Sequence, residues 1–454
     1  LTKSSRGLQP LGDLKVVVRS LSSLKPNPRN ARTHSRRQID QIAESIRTFG
    51  FNNPVLIDED AMIIAGHGRL EAAKRLGMTE VPTVCLSHMT EAQKRAYILA
   101  DNRLAEKAGW DEEILAIEFQ ALFETAPELD LTITGFEIAE IDLIIGDYED
   151  GPEPDSLDDL PDVTPQTPVV TRRGDLWQLG RHRVLCADAT SADSYATLLN
   201  GETVQMTFTD PPYNVPIGGH VSGLGKVQHP EFVMASGEMS EAEFSGFLTM
   251  ILKNVASVSA DGAIAFVCMD WRHLYELFGA ARTAGLTQKN VCVWVKTNAG
   301  MGTFYRSQHE MIAVFKVGTA PHINSFELGQ YGRRRTNVWT YPGVNSFGEG
   351  RDDALAMHPT VKPVRLVADA IKDCSKRNGL ILDPFLGSGT TLIAAETTGR
   401  RCVGLELDPR YVDTIVRRWE QVTGDTAILS ATGQSFAAVA AARVATSEEV
   451  AHGS

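Results

Sequence analysis

Seven short apolar segments are spread through the second part of this 454-residue chain: HRVLCAD, VQMTFTD, GAIAFVCMD, NVCVWVK, HEMIAVFK, LILDPF and RCVGLELD. Helical patterns such as EAEFSGFLTMILKNVAS and TTLIAAETTG lie between several of them. Apolar strands alternating with helices predict a mostly parallel, doubly wound α/β sheet, because parallel neighbours need crossover helices and are buried on both faces. Such sheets bind ligands beyond the carboxyl ends of their strands. The turns that follow these segments are therefore where the chemistry is expected.

The chain is long enough for two or three domains. The stretch 147–162 carries eight acids and no base. Its charges repel and it has little to bury, so 147–170 reads as a linker. It separates an N-terminal unit, 1–146, from a larger one, 171–426. Residues 427–454 are rich in Ala, Ser and Thr and read as a low-complexity tail, a frayed helix or disordered chain. In the N-terminal unit, 38–50 has helical spacing and a glycine stop. NNPVLID and AMIIAG look like short buried strands around a turn at Glu59-Asp60, 67–77 is a second helix, and 91–124 is largely helical.

No apolar run approaches the roughly 20 residues that span a bilayer, and the N-terminal residues lack a secretory signal's apolar core. The six cysteines have no paired spacing, which predicts reduced thiols in a cytoplasmic protein and no structural zinc. His220 and His229 could pair on a metal, but no third ligand is apparent. The net charge is −13, yet residues 1–50 hold ten Lys/Arg against three acids and 281–340 hold eight against two. Clustered basic stretches steer a polyanion whatever the total, so nucleic acid remains an eligible partner.

Three strand ends carry the candidate chemistry. The first is TDPPYN, with Asp210, Pro211, Pro212 and Tyr213. Two prolines alone would make a rigid turn, which needs neither the acid nor the aromatic. An exocyclic base amine needs all four. Its lone pair is delocalised into the ring, and hydrogen bonds to a carboxylate and a fixed carbonyl would hold that pair toward an electrophile while the flipped base stacks on Tyr213. The second is LDPFLGSGTTLIAAE, a strand, a glycine turn and a helix start, with Asp383, Phe385, Gly387, Ser388, Gly389, Thr390 and Thr391. Glu406 closes the next strand nineteen residues after Gly387, a spacing that suits a carboxylate on ribose hydroxyls. No GK[ST] follows, so a nucleoside without phosphates fits better than a nucleotide. The third is CADAT, where Asp188 and Ala189 follow a strand; this aspartate is either a ligand for a cofactor's adenine or a simple cap.

Together these segments resemble the amino-methyltransferase family of bacterial DNA methylases, in the class whose catalytic motif precedes the cofactor motif. The resemblance runs over about 174–424 through CADAT, DPPY, HPTVKP at 358–363, DPFLGSGTT and GLELDPRYV. It implies a Rossmann-like, circularly permuted, seven-stranded sheet that binds S-adenosylmethionine across its central strands. It implies a site-specific DNA methyltransferase that flips its target base and attacks directly, at adenine N6 rather than cytosine N4 because cytosine enzymes more often begin the motif with serine. By the same resemblance, His358, Thr360 and Lys362 border the cofactor's methionine end. The stretch to Ala356, with Arg333, Arg334 and Arg335, then takes the target-recognition position, and Arg306 lies in the segment before it. The enzyme could serve a restriction-modification pair or stand as an orphan, and a homodimer is one candidate assembly.

NPVLIDEDAMIIAGHGRLEAAKRLG, with ADNRLAE further on, resembles the ParB/sulfiredoxin-like nucleotide-binding domain, a small α+β fold. Gly66, His67, Gly68 and Arg69 form a turn at a helix N-terminus, where free N–H groups attract phosphate, so CTP or ATP is a candidate ligand. ParB proteins usually have Gly-Glu-Arg-Arg there. The rival readings are a ParB-like partition protein carrying a vestigial methylase, and a ParB-like nuclease, for which no metal-binding carboxylate cluster is evident.

Overall fold

The computed structural model describes residues 14–148, 156–161, 163–164, 166–214, 237–297, 305–326, 335–343 and 361–443. The chain divides into two compact units, Leu1–Tyr148 and Glu149–Ser454. No described helix is long and apolar enough to cross a membrane.

The first unit holds four strands, β1 (Val16–Ser20), β2 (Val55–Ile57), β3 (Ile63–Ala65) and β4 (Glu80–Cys85), in the order β1-β4-β2-β3. Helix α1 (Arg36–Phe49) starts on a Ser35 cap and stops at Gly50, and α2 (His67–Arg75) follows β3 directly. Leu70 and Ala73 of α2 pack on Val55, Ile57 and Ile63 to form the small core. The stretch 91–124 is largely helical as expected, in two helices, α3 (Glu91–Ala105) and α4 (Glu112–Thr125). Asp111 caps the second by accepting from the N–H of Ile114, so the chain restarts there instead of continuing. Helix α5 (Ile138–Tyr148) closes the unit.

In the second unit all seven expected segments are strands: β6 (His182–Cys186), β7 (Val204–Thr209), β8 (Ser259–Met269), β9 (Thr287–Val295), β10 (His309–Lys316), β12 (Leu380–Asp383) and β13 (Arg401–Glu406). Four short strands widen the sheet beyond the seven anticipated: β5 (Leu176–Leu179), β11 (Val338–Thr340), β14 (Ile428–Leu429) and β15 (Gln434–Ser435). Among the described residues the order is β11-β9-β10-β8-β7-β12-β13-β6-β5-β14-β15. The pairs from β8 through β6 are parallel, while β10 runs antiparallel between β8 and β9. Helices α6 (Ala192–Leu199), α7 (Glu241–Val258), α8 (Leu274–Thr283), α9 (Val364–Cys374), α10 (Thr390–Thr397) and α11 (Pro409–Thr423) cover the two faces. One face packs around Phe208, Leu366 and Trp419, the other around Tyr195, Phe244 and Leu277. The chain reverses its build direction between β7 and β12, so the crevice at their carboxyl ends is the switch point of a doubly wound fold.

Two boundary expectations are corrected. The tail does not begin at 427: β14 and β15 extend the sheet, and a helix over 436–443 buries Phe436 and Val439. Phe436 lies 5.3 Å, centroid to centroid, from the fully buried Trp177. The end of the acidic linker is also built in. Leu157 is buried, its carbonyl accepts from Arg418, and the Asp158 carboxylate caps α9 by accepting from the N–H of Val364 at 2.8 Å. Val170 and Thr171 both donate backbone N–H groups to the buried Asp413. Phe436→Ala is therefore expected to cost roughly 3–5 kcal/mol, the usual price of emptying a buried phenylalanine site; a tail would lose nothing, and denaturant unfolding of the full chain distinguishes the two.

Candidate active site

The carboxyl ends of β6, β7, β12 and β13 open into one pocket. Asp188 and Ala189 enter it after β6, Asp210 through Tyr213 after β7, Asp383 through Ser388 after β12, and Glu406 through Asp408 after β13. Thr390, Thr391, Tyr411, Val361 and Lys362 complete the wall. Each strand delivers its acid here because parallel strands end on the same side and their short turns leave no room to carry it elsewhere.

The turn after β12 is fixed by its glycines and by one carboxylate. Gly387 and Gly389 sit at φ 53° and 87°, a region other residues rarely adopt, and Gly389 caps α10 against Ile415. Glu406 Oε2 accepts the N–H of Gly387 at 2.9 Å, and its Oε1 accepts the N–H of Asp408 at 2.9 Å. Asp383 accepts from the N–H of Phe385 at 3.0 Å and from the Thr391 hydroxyl at 2.6 Å. Burial pushes the Glu406 carboxyl up to about 7 and the Asp383 carboxyl up to about 6, despite the donors each receives. Asp188 accepts from the N–H and the hydroxyl of Thr190, both at 2.8 Å, which is a capping turn at the pocket rim.

Asp210 stands in a closed polar cage. The Tyr213 hydroxyl donates to its Oδ1, and the Lys362 ammonium donates to its Oδ2 at 2.5 Å. The same ammonium lies 2.9 Å from Glu310 Oε2, and Glu310 is held from its other side by Lys296. Burial raises the Asp210 carboxyl, Lys362 opposes that, and Glu310 reinforces it. Burial would raise Glu310 too, but Lys362 and Lys296 outweigh it and bring that carboxyl down to about 2. Lys362, only 5% exposed, is kept charged by its two carboxylates. Trp294 lies under both ammonium groups, 4.7 Å from that of Lys296 and 5.8 Å from that of Lys362.

The structure thus brings together Asp188, Ala189, the DPPY residues, Lys362, Asp383, Phe385, Gly387, Ser388, Thr390, Thr391 and Glu406, with Gly389 behind them as the helix cap. Lys362, expected at a cofactor's methionine end, lines the pocket but is bound to Asp210 and Glu310. Arg335 is not available to DNA as expected: its guanidinium donates to Asp373 at 2.9 Å and to the Tyr341 hydroxyl at 3.0 Å, and it stacks on Trp339. Arg306 is exposed just before β10. His358, Thr360, Arg333, Arg334, His220 and His229 lie outside the described residues. Glu310 and Lys296 were missed, although an acid at the head of the apolar strand HEMIAVFK is a legible anomaly. No group of three or more His, Cys, Asp and Glu set to hold a metal occurs among the described residues.

In the first unit, Gly66 takes φ 103° and α2 starts at His67. The Asn27 N–H donates to His67 Nε2 at 3.2 Å. The Arg69 guanidinium folds back over Gly66 toward the Pro54 carbonyl, and Gly68 lies tight against His34. The turn is closed on its own side chains.

Comparison with known proteins finds matches in both units. The profile of a DNA methylase family of N6/N4 type matches residues 204–417, a ParB N-terminal domain matches 12–103, and the helix-turn-helix domain of ParB-methyltransferases matches 113–173. The ParB-like nuclease domain-containing protein YnaK of Escherichia coli is 55% identical over 82 residues, 18% of this chain and 94% of that protein. Type II methyltransferase M.HinfI of Haemophilus influenzae is 24% identical over 49% of this chain and 64% of its own length. Type II methyltransferase M2.MboI of Moraxella bovis is 23% identical over 49% of this chain and 82% of its own. The crystal structure of the M1.HpyAVI–SAM complex aligns with a TM-score of 0.39 at 20% identity, covering 52% of this chain and 97% of that one. With the DPPY turn, the glycine turn and the acid that ends β13 all facing one crevice, the second unit of this chain belongs to the N6/N4 family of DNA methyltransferases, and a ParB-like domain stands ahead of it.

Proposed function

We propose that the chain transfers a methyl group from S-adenosylmethionine to adenine N6 in DNA, directly and without a covalent enzyme intermediate. The observation that carries this reading is that Asp210-Pro-Pro-Tyr213 opens into the same pocket as Glu406 and Asp383. The donor set suits the cofactor. Among the described residues, five carboxylates line the pocket (Asp188, Asp210, Asp383, Glu406 and Asp408) against one cationic side chain, Lys362. Such a site repels phosphates and attracts a cation, and S-adenosylmethionine is a phosphate-free nucleoside with a sulfonium and an ammonium. Glu406 would hold its ribose hydroxyls and Asp188 its adenine.

When bound, S-adenosylmethionine supplies an electrophilic methyl group. Asp210 and the carbonyl of the proline turn accept the N–H groups of the target amine and turn its lone pair toward the pocket interior. The Tyr213 ring offers a stacking face, while its hydroxyl is tied to Asp210. Asp210, whose carboxyl burial raises, would take the surplus proton of the amine as its nitrogen gains the methyl group, and the donor's sulfur would keep the electron pair of the bond it gives up. DPPY favours adenine over cytosine N4, the second reading. Digesting methylated DNA to nucleosides for mass spectrometry is expected to show N6-methyladenine; N4-methylcytosine alone would overturn the base assignment. Asp210→Ala is expected to lose about 10²–10³ in rate while still binding cofactor, and near-normal turnover would remove Asp210 from the site.

A cationic ligand favours ionised carboxylates, so its binding is supported above the raised values and weakens as the pH falls through about 7 and then about 6, the positions of Glu406 and Asp383. Calorimetry on the full chain is expected to show cofactor affinity falling over that window, with proton release on binding. Glu406→Ala should lower affinity at pH 8 by roughly tenfold to a hundredfold, the worth of a charged hydrogen bond. A pH-independent affinity in the wild type would contradict this.

For the N-terminal unit we propose DNA backbone binding, from the ten Lys/Arg in residues 1–50, with CTP or ATP as a candidate ligand at Gly66–Arg69. Phosphate contacts release counterions, so removing residues 1–146 should both weaken DNA binding and flatten its salt dependence, leaving the modified base unchanged. Unaltered affinity and slope would assign the unit another role. Absence of CTP or ATP binding at millimolar concentration, with Arg69→Ala as control, would leave the turn as a helix start alone.

A further inference from the structure

Glu310 touches neither the glycine turn nor any other acid of the strand ends directly, yet it shares an ammonium with Asp210. Lys362 Nζ lies 2.5 Å from Asp210 Oδ2 and 2.9 Å from Glu310 Oε2. The arrangement is rigid on every side. Glu310 is the second residue of β10, opposite Trp294, the penultimate residue of β9, and Lys296 grips its second oxygen from the residue just after β9. Lys362 enters from the segment before α9, whose first turn is capped by Asp158. Two acids and two lysines sum to zero charge, so the cage can stay buried without a counterion. Shared between two carboxylates, the Lys362 ammonium cannot be drawn wholly onto Asp210.

We infer that Glu310 is a positioning residue for methyl transfer, acting through Lys362, with Lys296 as its anchor: by sharing the ammonium that sits on Asp210 Oδ2, it leaves that ammonium only partly committed to the carboxylate, whose remaining lone pairs then serve the target amine. This rests on the proposed reaction. Without Glu310, Lys362 belongs to Asp210 alone and competes with the base for that oxygen. Without Lys362, Asp210 loses its only cationic neighbour among the described groups facing it. Those groups are Tyr213 of its own turn, Cys268 on β8, Glu310 on β10, Asp383 at the end of β12, and Lys362 itself.

The two losses act on Asp210 with opposite sign. Glu310 raises its carboxyl and Lys362 lowers it, so Glu310→Gln should move the acid limb of kcat to lower pH, and Lys362→Met should move it to higher pH. A structural defect has no reason to produce opposite shifts. The test uses the full chain, unmethylated plasmid DNA and radiolabelled S-adenosylmethionine, with kcat and KM measured across pH for wild type, Glu310→Gln, Lys362→Met and the double variant. Glu310→Gln is expected to lower kcat roughly tenfold to a hundredfold while the KM for cofactor moves less than about threefold. Added to Lys362→Met it should cost almost nothing further, because it acts through that lysine. The carboxyl carbon-13 resonance of Asp210, assigned by its loss in Asp210→Asn, is titrated in the same proteins and should show the same opposite displacements. Displacements in one direction, none at all, or full additivity of the two losses would overturn the inference. Should the wild type label no DNA, the reaction reading fails instead, and the carboxyl titration still decides the role of Glu310.

Discussion

The structure turns on how four acids are kept at the carboxyl edge of one parallel sheet. Asp210 and Glu406 stand at the ends of β7 and β13, Asp383 closes β12, and Asp188 follows β6, all on one pocket wall. Burying charge without partners is costly. The fold offsets that cost with its own turns: backbone N–H groups of Phe385, Gly387 and Asp408 are aimed at Asp383 and Glu406. In phosphate-binding folds a glycine turn at a helix start offers such donors to a ligand. Here the Gly387 donor is spent on a carboxylate of the protein, so this turn presents an anion where those folds present an anion receptor. The motif's glycines therefore carry less functional information than the acid nineteen residues beyond Gly387.

The same pocket wall is fastened to the outer layer of the unit. Arg418, fully buried on α11, donates to the Ser388 carbonyl of the glycine turn at 3.0 Å and to the Leu157 carbonyl at 2.8 Å. Burial lowers its guanidinium to about 10, against the pull of Asp158 and Asp159. Two of the acids that make the linker look soluble thus lie near a buried cation. Asp413, one turn earlier on α11, receives the backbone of Val170 and Thr171. The far end of the linker is consequently part of the layer that holds the glycine turn in shape.

The strands were legible because parallel strands buried on both faces become continuous apolar runs, and the acids because they interrupt those runs at their ends. The short edge strands were not, since two to four residues carry no period: β14 and β15 have two each. The last helix hid in an alanine-rich stretch, where Phe436 and Val439, three apart, were the only large apolar signal. Lys362 could be placed in the pocket from its motif but not on Asp210, because a side chain's partner across the fold depends on tertiary distances that spacing does not encode. Arg335 shows the converse. A run of three arginines invites a DNA reading, while Asp369 and Asp373, which claim this one, lie 34 and 38 residues further on along α9, and Tyr341 just after β11 holds it as well.

Charge divides the pocket into two halves. The cage of Asp210, Glu310, Lys362 and Lys296 is neutral as a set, and its members Asp210 and Lys362 line the pocket where, on the proposed reading, an uncharged nucleobase would lie. The remaining wall, with Asp188, Asp383, Glu406 and Asp408, contains no cationic side chain among the described residues and faces the place proposed for a sulfonium nucleoside. On that reading, transfer would remove the sulfonium charge from the ligand that the acidic half holds and leave its ammonium. The raised positions of Glu406 and Asp383 would then matter for turnover as well as for binding, because with the sulfonium charge gone each could take up a proton near neutrality instead of remaining an uncompensated buried charge. A site that draws the cofactor in by its charge would thereby lose part of that attraction at the step in which the methyl group departs, while the surplus proton would give the cage around Asp210 one net positive charge until Asp210 releases it for the next base.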